Sequence, residues 1–523
     1  MKMPFPRLRP FSASDVWAMT GPEANAFDTR AMTNEDVPQA VLMENAGRSA
    51  ATVLHRLFSG ARVLGLVGAG NNGGDALVAM RTLQSWGYRT TTIFVADRDR
   101  EDPLLHGWPL NPLYDTMLED AGWDRAFQGA DVVVDGILGT GARGAPRARQ
   151  AEAIARLNQS ELPVLALDVP SGVDASSGDV AGEAVRAAVT VSFGSPKLGS
   201  LLHPGRGHVG RQVTVEIGSP PVTPADRHAF LVTPTWARER WPARETDTHK
   251  NRVGRVLIVG GQVGMAGAVI LAARAAFRTG AGLVRVCSVA ANREVLQAAV
   301  PEAMFVDSLD QIGIEEASAS SDAIAIGPGL GTGEEARALL VSVLSSSTQP
   351  LLIDADALNL SAEGVIDLEE VSRSRTVLVT PHPGEMARIL GDAGGAFGRI
   401  EIVTQAAERF QCAVLFKGAP SLVASPARPT AIDTQSSSDL AVAGIGDALA
   451  GVCAALLAQG LEADEAASVG LYVTGRAARL AGRGPGLTPS DVIQWISEAR
   501  TEAGASRTDL DLPFVTFDAD PAN

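Results

Sequence analysis

Gly68-Ala69-Gly70-Asn71-Asn72-Gly73-Gly74-Asp75 stands between a short apolar run (62–67) and a run with helical spacing (76–86). A short apolar run closed by glycine reads as a buried strand. Strand, Gly-rich turn and helix together form the ligand-binding unit of doubly wound parallel sheets. The dinucleotide fingerprint is broken here, because Asn71-Asn72 interrupts it and Asp75 takes the third-glycine position. Two adjacent amides offer carbonyl oxygens, which suit a hard monovalent cation or a ribose better than a bare phosphate.

The same grammar repeats outward from this stretch. The segment 37–58 has helical periodicity, with a start at Asn34-Glu35-Asp36. Residues 90–95 read as a strand, and 98–124 as a covering excursion. Asp131-Val-Val-Val-Asp135 is a strand ending in an acid, followed by Gly136-Ile137-Leu138-Gly139-Thr140-Gly141. Residues 163–167 form a strand ending at Asp168, followed by Val169-Pro170-Ser171-Gly172-Val173-Asp174. In an open parallel sheet the C-terminal strand edge is the ligand edge. Three strand tips carrying Asn or Asp there point to one pocket; three independent helix caps are the other reading.

A Pro-, Arg- and Trp-rich stretch (219–244) reads as a domain boundary. After it the pattern restarts, with strands at 254–259, 282–287, 323–326, 351–353, 377–379 and 414–416. They empty into Gly260-Gly261, Gly327-Pro328-Gly329, Asp354-Ala355-Asp356, Thr380-Pro381-His382 and Lys417-Gly418. Then comes Val442-Ala443-Gly444-Ile445-Gly446-Asp447-Ala448-Leu449-Ala450-Gly451, where two glycines open an apolar helix. A helix N-terminus turns free N–H groups toward an anion. Asp447 at its mouth reads as a base or a metal partner, or as a plain N-cap. His382 reads as a substrate hydrogen-bond donor or as a backbone cap. Asp354 and Asp356 read as caps or outer-sphere metal partners.

Composition narrows the class. A chain of 523 residues suits two domains, here 1–225 and 226–502, with an acidic, aperiodic segment (503–523) read as a disordered tail. A net charge of −16 argues against a nucleic-acid surface. No signal-peptide core or membrane-length apolar run is found, so a soluble cytoplasmic protein without a membrane partner is expected. Three scattered cysteines do not suggest a disulfide framework or a Cys-based metal site. Lys2, Lys197, Lys250 and Lys417 are the only lysines. Where Arg is used almost throughout, Lys197, Lys250 and Lys417 are candidates for tasks needing a compact point charge.

Gly70-Asn-Asn-Gly-Gly-Asp75, Asp135-Gly-Ile-Leu-Gly-Thr-Gly141 and Asp168-Val-Pro-Ser-Gly-Val-Asp174 resemble the NAD(P)H-hydrate epimerase family over roughly 10–220. The resemblance implies a Rossmann-like three-layer αβα domain. It implies a potassium ion held by Asn72, Asp135 and Ser171. Hydrate binding would fall to Asn71, Asn72, Gly73, Gly74 and Asp75, to Gly139, Thr140, Gly141, Ala142, Arg143, Gly144 and Ala145, and to Asp168, the best acid–base candidate. The second half resembles the ADP/ATP-dependent NAD(P)H-hydrate dehydratases of the ribokinase-like kinases over roughly 235–500. That resemblance implies hydrate binding by Ala268, Gly329, His382 and Asp447. Nucleotide binding would fall to Lys417, Gly418, Ala419, Pro420, Ser421 and Gly446, with Mg²⁺ and ADP or ATP, and Asp447 would act as base. Ser438-Asp439-Leu440-Ala441 departs from the family's Pro-Gly-Met stretch, and Thr474-Gly475-Arg476 lacks an expected histidine. The expected protein is a homo-oligomeric bifunctional repair enzyme for NADHX and NADPHX. A small-molecule kinase of the hydroxyethylthiazole or hydroxymethylpyrimidine type, fused to a non-catalytic epimerase-like module, is the alternative.

Overall fold

The computed structural model describes residues 8–9, 15–98, 102–247, 249–250, 252–391, 398–500 and 510–519. Two compact units emerge: Met1–Ala229 with Gly504–Ala522, and Phe230–Ala503.

In the first unit the sheet runs in the order Val515–Ala519, Arg211–Val215, Val189–Phe193, Val164–Leu167, Val132–Gly136, Val63–Val67, Thr90–Phe94, Leu113–Tyr114. All neighbours are parallel except the pair formed by Val515–Ala519 and Arg211–Val215. Successive strand residues face opposite ways, and both faces here are apolar. Val63, Val67, Val132 and Val134 pack with Leu54, Leu77 and Leu83 of two helices. Leu64, Leu66 and Val133 pack on the other side with Trp123, Ile154 and Leu157. That is the expected three-layer αβα arrangement. The strand-to-helix turn that opened the sequence reading is held tight. A Cβ on Gly68 would lie 1.9 Å from the Ile137 carbonyl oxygen, and one on Gly73 2.0 Å from that of Gly68.

Three sequence readings change. The start at Asn34-Glu35-Asp36 is instead the end of a helix, Gly21–Asn34; the next helix spans Gln39–Leu57. Thr20 and Glu23 form a capping box with Pro at the first turn, a signature readable in the sequence. The excursion at 98–124 contains the short strand Leu113–Tyr114, and the helix Asp120–Gln128 starts within it. The tail reading fails for the part described: Val515–Ala519 is a strand with Val515 and Phe517 buried. Its alternation Val-Thr-Phe-Asp-Ala fits a pleated edge, and Asp518 answers a buried cation. Arg211 donates from Nε and Nη2 to Asp518 at 2.7 and 2.6 Å, with both side chains at most 5% exposed. Residues 501–509 lie outside the described residues. Truncating one member of a buried pair strands the other charge, at about 3–5 kcal/mol. Arg211→Ala is therefore expected to lower the melting temperature of the first unit, and Arg211→Met with Asp518→Leu to lower it much less.

The second unit holds a sheet in the order Met304–Asp307, Leu283–Ser288, Arg255–Val259, Ala323–Ile326, Leu351–Ile353, Val377–Val379, Ala413–Phe416. These seven are parallel, and Leu422–Ala424 and Thr430–Asp433 continue the sheet antiparallel. Val256, Ile258, Val284 and Val286 pack on the helices Ala266–Thr279, Ile445–Ala458 and Ala463–Ala481. Leu257, Val259, Ile324 and Ile326, also fully buried, point the other way. Gly451 lets two of these helices touch, since a Cβ there would lie 2.1 Å from the Ala272 carbonyl oxygen. No described helix is long and apolar enough to cross a membrane. Cys287, Cys412 and Cys453 are buried free thiols.

Candidate functional site

Each unit gathers its polar residues at the C-terminal edge of its sheet. In the first unit a cavity of about 520 Å³ opens there. Asn71, Asn72, Asp75, Gly139, Thr140, Gly141, Ala142 and Asp168 line it, so most of the sequence candidates meet in one place. Arg143, Gly144 and Ala145 are not part of the lining. Gly73 and Gly74 serve packing: a Cβ on Gly74 would lie 2.7 Å from the Met43 methyl carbon. Asn71 accepts from Gln39 at 3.1 Å.

Asn72 is 8% exposed and donates to the Leu138 and Leu167 carbonyls at 2.6 and 3.1 Å. Its Oδ1 is buried without a partner. Nearby, Asp135 accepts from the Ser171 hydroxyl at 2.6 Å and from the Ser171 amide at 2.9 Å. Burial raises the Asp135 carboxyl while its bonds from Ser171 and Ile137 oppose the shift. Carboxylate, hydroxyl and orphaned amide oxygen form a donor set suited to a hard cation.

Asp168 follows the strand Val164–Leu167 with φ +64°. A non-glycine residue there is held by its surroundings against local strain. Ser192 Oγ binds its carbonyl at 2.8 Å, and the Phe193 amide binds its carboxylate at 3.1 Å. Lys197, 3% exposed, makes an ion pair with Asp168 and also donates to the Phe193 and Ser195 carbonyls. So one scarce lysine is a buried partner, whereas Lys250 is exposed. Asp28 was missed by sequence reasoning, because it lies on a helix with no glycine loop to mark it, yet it lines the cavity. Burial pushes Asp75 well above the ordinary carboxylate range, with Asp168 and Asp28 adding repulsion and Lys197 and Arg98 opposing. Asp28 is raised too, by burial first, with Lys197 opposing and Asp168 adding.

In the second unit Gly444, at φ +89°, caps the helix Ile445–Ala458, and Asp447 falls in its first turn. Burial, then Asp354, lift the Asp447 carboxyl to about 6 against the pull of Lys417. Lys417, at the end of the strand Ala413–Phe416, donates to Asp354 at 2.7 Å and lies 4.0 Å from Glu385. Burial pulls the Lys417 ammonium down, but Asp354, Glu385 and Asp447 outweigh it and the net shift is upward. A Cβ on Gly446 would lie 3.6 Å from Lys417 Nζ. Strand tip, acid and helix N-terminus thus converge. The loop behind Lys417 is closed by a bond from the Gly418 amide to Ser421 Oγ (3.2 Å), across a cis Ala419–Pro420 bond. Arg399, unmarked in the sequence reading, donates to the Lys417 and Pro420 carbonyls at 3.2 Å each and stacks over Phe416.

His382 takes the capping alternative. Its Nδ1 accepts from the Gly384 and Glu385 amides, and its own amide donates to Glu385. Its Nε2 lies 3.4 Å from Glu385 Oε1. Asp356 caps the Gly331 amide at 2.8 Å. Gly329, at φ +57°, meets Ala268 closely: a Cβ on the glycine would lie 3.2 Å from that of the alanine. Among the described residues no group of three His, Cys, Asp or Glu is placed to hold a metal ion.

The family described as NAD(P)H-hydrate dehydratase matches residues 256–498, and that described as YjeF-related protein N-terminus matches 39–199. A solved ADP/ATP-dependent NAD(P)H-hydrate dehydratase from Bacillus subtilis, co-crystallised with ATP and Mg²⁺, is 26% identical. It covers 51% of this chain and 98% of its own, with a TM-score of 0.45. The bifunctional NAD(P)H-hydrate repair enzyme Nnr of Salinibacter ruber is 34% identical over 501 residues, 88% of this chain and 91% of the relative. That of Moorella thermoacetica is 36% identical over 499 residues, 90% of this chain and 93% of the relative. Similarity that runs through both units at once leaves one assignment: the chain belongs to the family of bifunctional NAD(P)H-hydrate repair enzymes.

Proposed function

We propose that the first unit interconverts the R and S epimers of NADHX and NADPHX, and that the second dehydrates the S epimer to NAD(P)H at the expense of ADP or ATP. The observation that carries this reading is the placement of Asp447, with its raised carboxyl, beside Lys417 at an N-terminal helix turn opened by Gly444. Hydroxide leaves carbon 6 of the nicotinamide ring poorly at neutral pH. Phosphorylating it makes a good leaving group, and elimination then restores the reduced ring. Asp447 would take the hydroxyl proton, and the amides at 444–446 would hold the phosphoryl group in transfer. Lys417 through Ser421 would cradle the nucleotide, while Ala268, Gly329 and His382 would line the hydrate subsite, the last by fixing the turn at 382–385. Mg²⁺ would neutralise the phosphates; lacking a protein cage among the described residues, it would be held chiefly by the nucleotide.

In the first unit Asn72, Asp135 and Ser171 would hold K⁺, a reading supported by the orphaned Asn72 Oδ1. Asp168 would be the acid–base group, with Lys197 holding it in place. Buried free thiols suit a reducing cytoplasm. Incubating the protein with each epimer, ADP or ATP, and Mg²⁺ tests the whole. Reduced cofactor should appear from both, and its absence from both defeats the proposal. Exchanging K⁺ for choline should slow regeneration from the R epimer and leave the S epimer unaffected.

The alternative of a kinase fused to a non-catalytic module is disfavoured, since the family relatives match across both halves. A phosphorylated product that accumulates without eliminating would revive it.

A further inference from the structure

We propose that Asp28 is the second acid–base group of the epimerisation site, acting on the face of the hydrated ring opposite to Asp168. The proposal rests on the epimerase reading of the first unit.

If the ring stays closed, inverting carbon 6 requires an oxygen to depart on one side and another to arrive on the other. One carboxylate cannot serve both faces of a bound ring. Ala24, Asp28 and Met32 recur every four residues on the helix Gly21–Asn34, so they share a side, and all three line the cavity. The helix is fastened across that cavity. The Thr140 hydroxyl donates to Asn25 at 3.2 Å, and the Gly21 amide donates to Ser176 Oγ at 3.1 Å. Arg30, two positions from Asp28, is engaged by both oxygens of Asp226, while Asp28 itself lines the cavity. Asp168 reaches the same space from the sheet edge, Asp28 from a helix outside the sheet. Asp168 is paired with Lys197, whereas burial raises the Asp28 carboxyl.

The step balances. The C6–O bond breaks as the N1 lone pair forms an N1=C6 iminium, and the departing hydroxyl takes the Asp28 proton and leaves as water. A second water adds to C6 from the other face, the π pair returns to N1, and its proton passes to the Asp168 carboxylate. Nothing is oxidised or reduced. The proton on Asp168 is then lost to bulk water and Asp28 regains one, which resets the site; the same path run backwards converts the other epimer.

Two measurements test this on the full-length protein. Asp28→Asn should lower kcat for epimerisation in both directions by 100-fold or more, which is the scale of a lost acid–base group. KM for the hydrate should stay within about threefold, which reports that the first unit is folded, and dehydration of the S epimer in the second unit should be unchanged; these two limits are set as criteria for separating an acid–base role from a structural one. Asp28→Glu should restore part of the rate. In H₂¹⁸O, each wild-type inversion should place one labelled oxygen on carbon 6. An Asp28→Asn enzyme that epimerises within about twofold of wild type overturns the proposal, as does inversion that keeps the original oxygen, which would signal ring opening. Wild-type protein that leaves the R epimer untouched overturns the epimerase reading and this proposal with it.

Discussion

Asp447→Asn is expected to reduce dehydration by about 10²–10⁴-fold, the usual worth of a positioned general base, while epimerisation continues at the wild-type rate. The substitution keeps size and polarity at the first turn of the helix Ile445–Ala458 and removes only the basic oxygen. The base form is the ionised one, and the carboxyl titrates near 6 because it is buried and faces Asp354 and Asp356. The dehydration rate should therefore be flat above neutrality and fall as pH drops through about 6. In Asp447→Asn that acid limb should vanish along with the activity. A variant that keeps both the rate and the limb would remove Asp447 from the mechanism.

Asp168→Asn should stop regeneration from the R epimer and spare the S epimer. Asn tolerates the left-handed backbone at 168, so the turn should persist. The charge balance will not, because Lys197, 3% exposed, loses the carboxylate it is bonded to and keeps two carbonyls. Stranding a buried charge costs about 3–5 kcal/mol, so the melting temperature of the first unit should drop as well. Adding Lys197→Met removes the stranded ammonium and should recover part of the stability without recovering epimerisation. That split separates the chemical role of Asp168 from its structural one. Full epimerase activity in Asp168→Asn would defeat the assignment.

Much of this was legible in the chain because parallel sheets write themselves plainly. Buried strands are short unbroken apolar runs, and their C-terminal tips end in Gly, Asn or Asp. Strand positions and the grouping of Asn72, Asp75 and Asp168 follow from that rule. What escaped lacks the mark. Asp28 and Glu385 are on helices, where an acid looks like any solvated residue until the fold turns it inward. Arg399 opens a helix beside the loop it braces, and nothing local to it shows that a strand end from 18 residues later will arrive there. The strand Val515–Ala519 was hidden by its acidic neighbours, and its partner lies some 300 residues upstream, beyond any local pattern.

That long return has a temporal consequence. Arg211 leaves the ribosome with an open edge beside it, and Asp518 is made 307 residues later. At about 5–20 residues per second, the nascent first sheet waits roughly 15–60 s with a row of unpaired amides and carbonyls exposed, the kind of surface that templates aggregation. The epimerase half is therefore completed last although it is encoded first. A clone stopping near residue 225 would make that waiting state permanent.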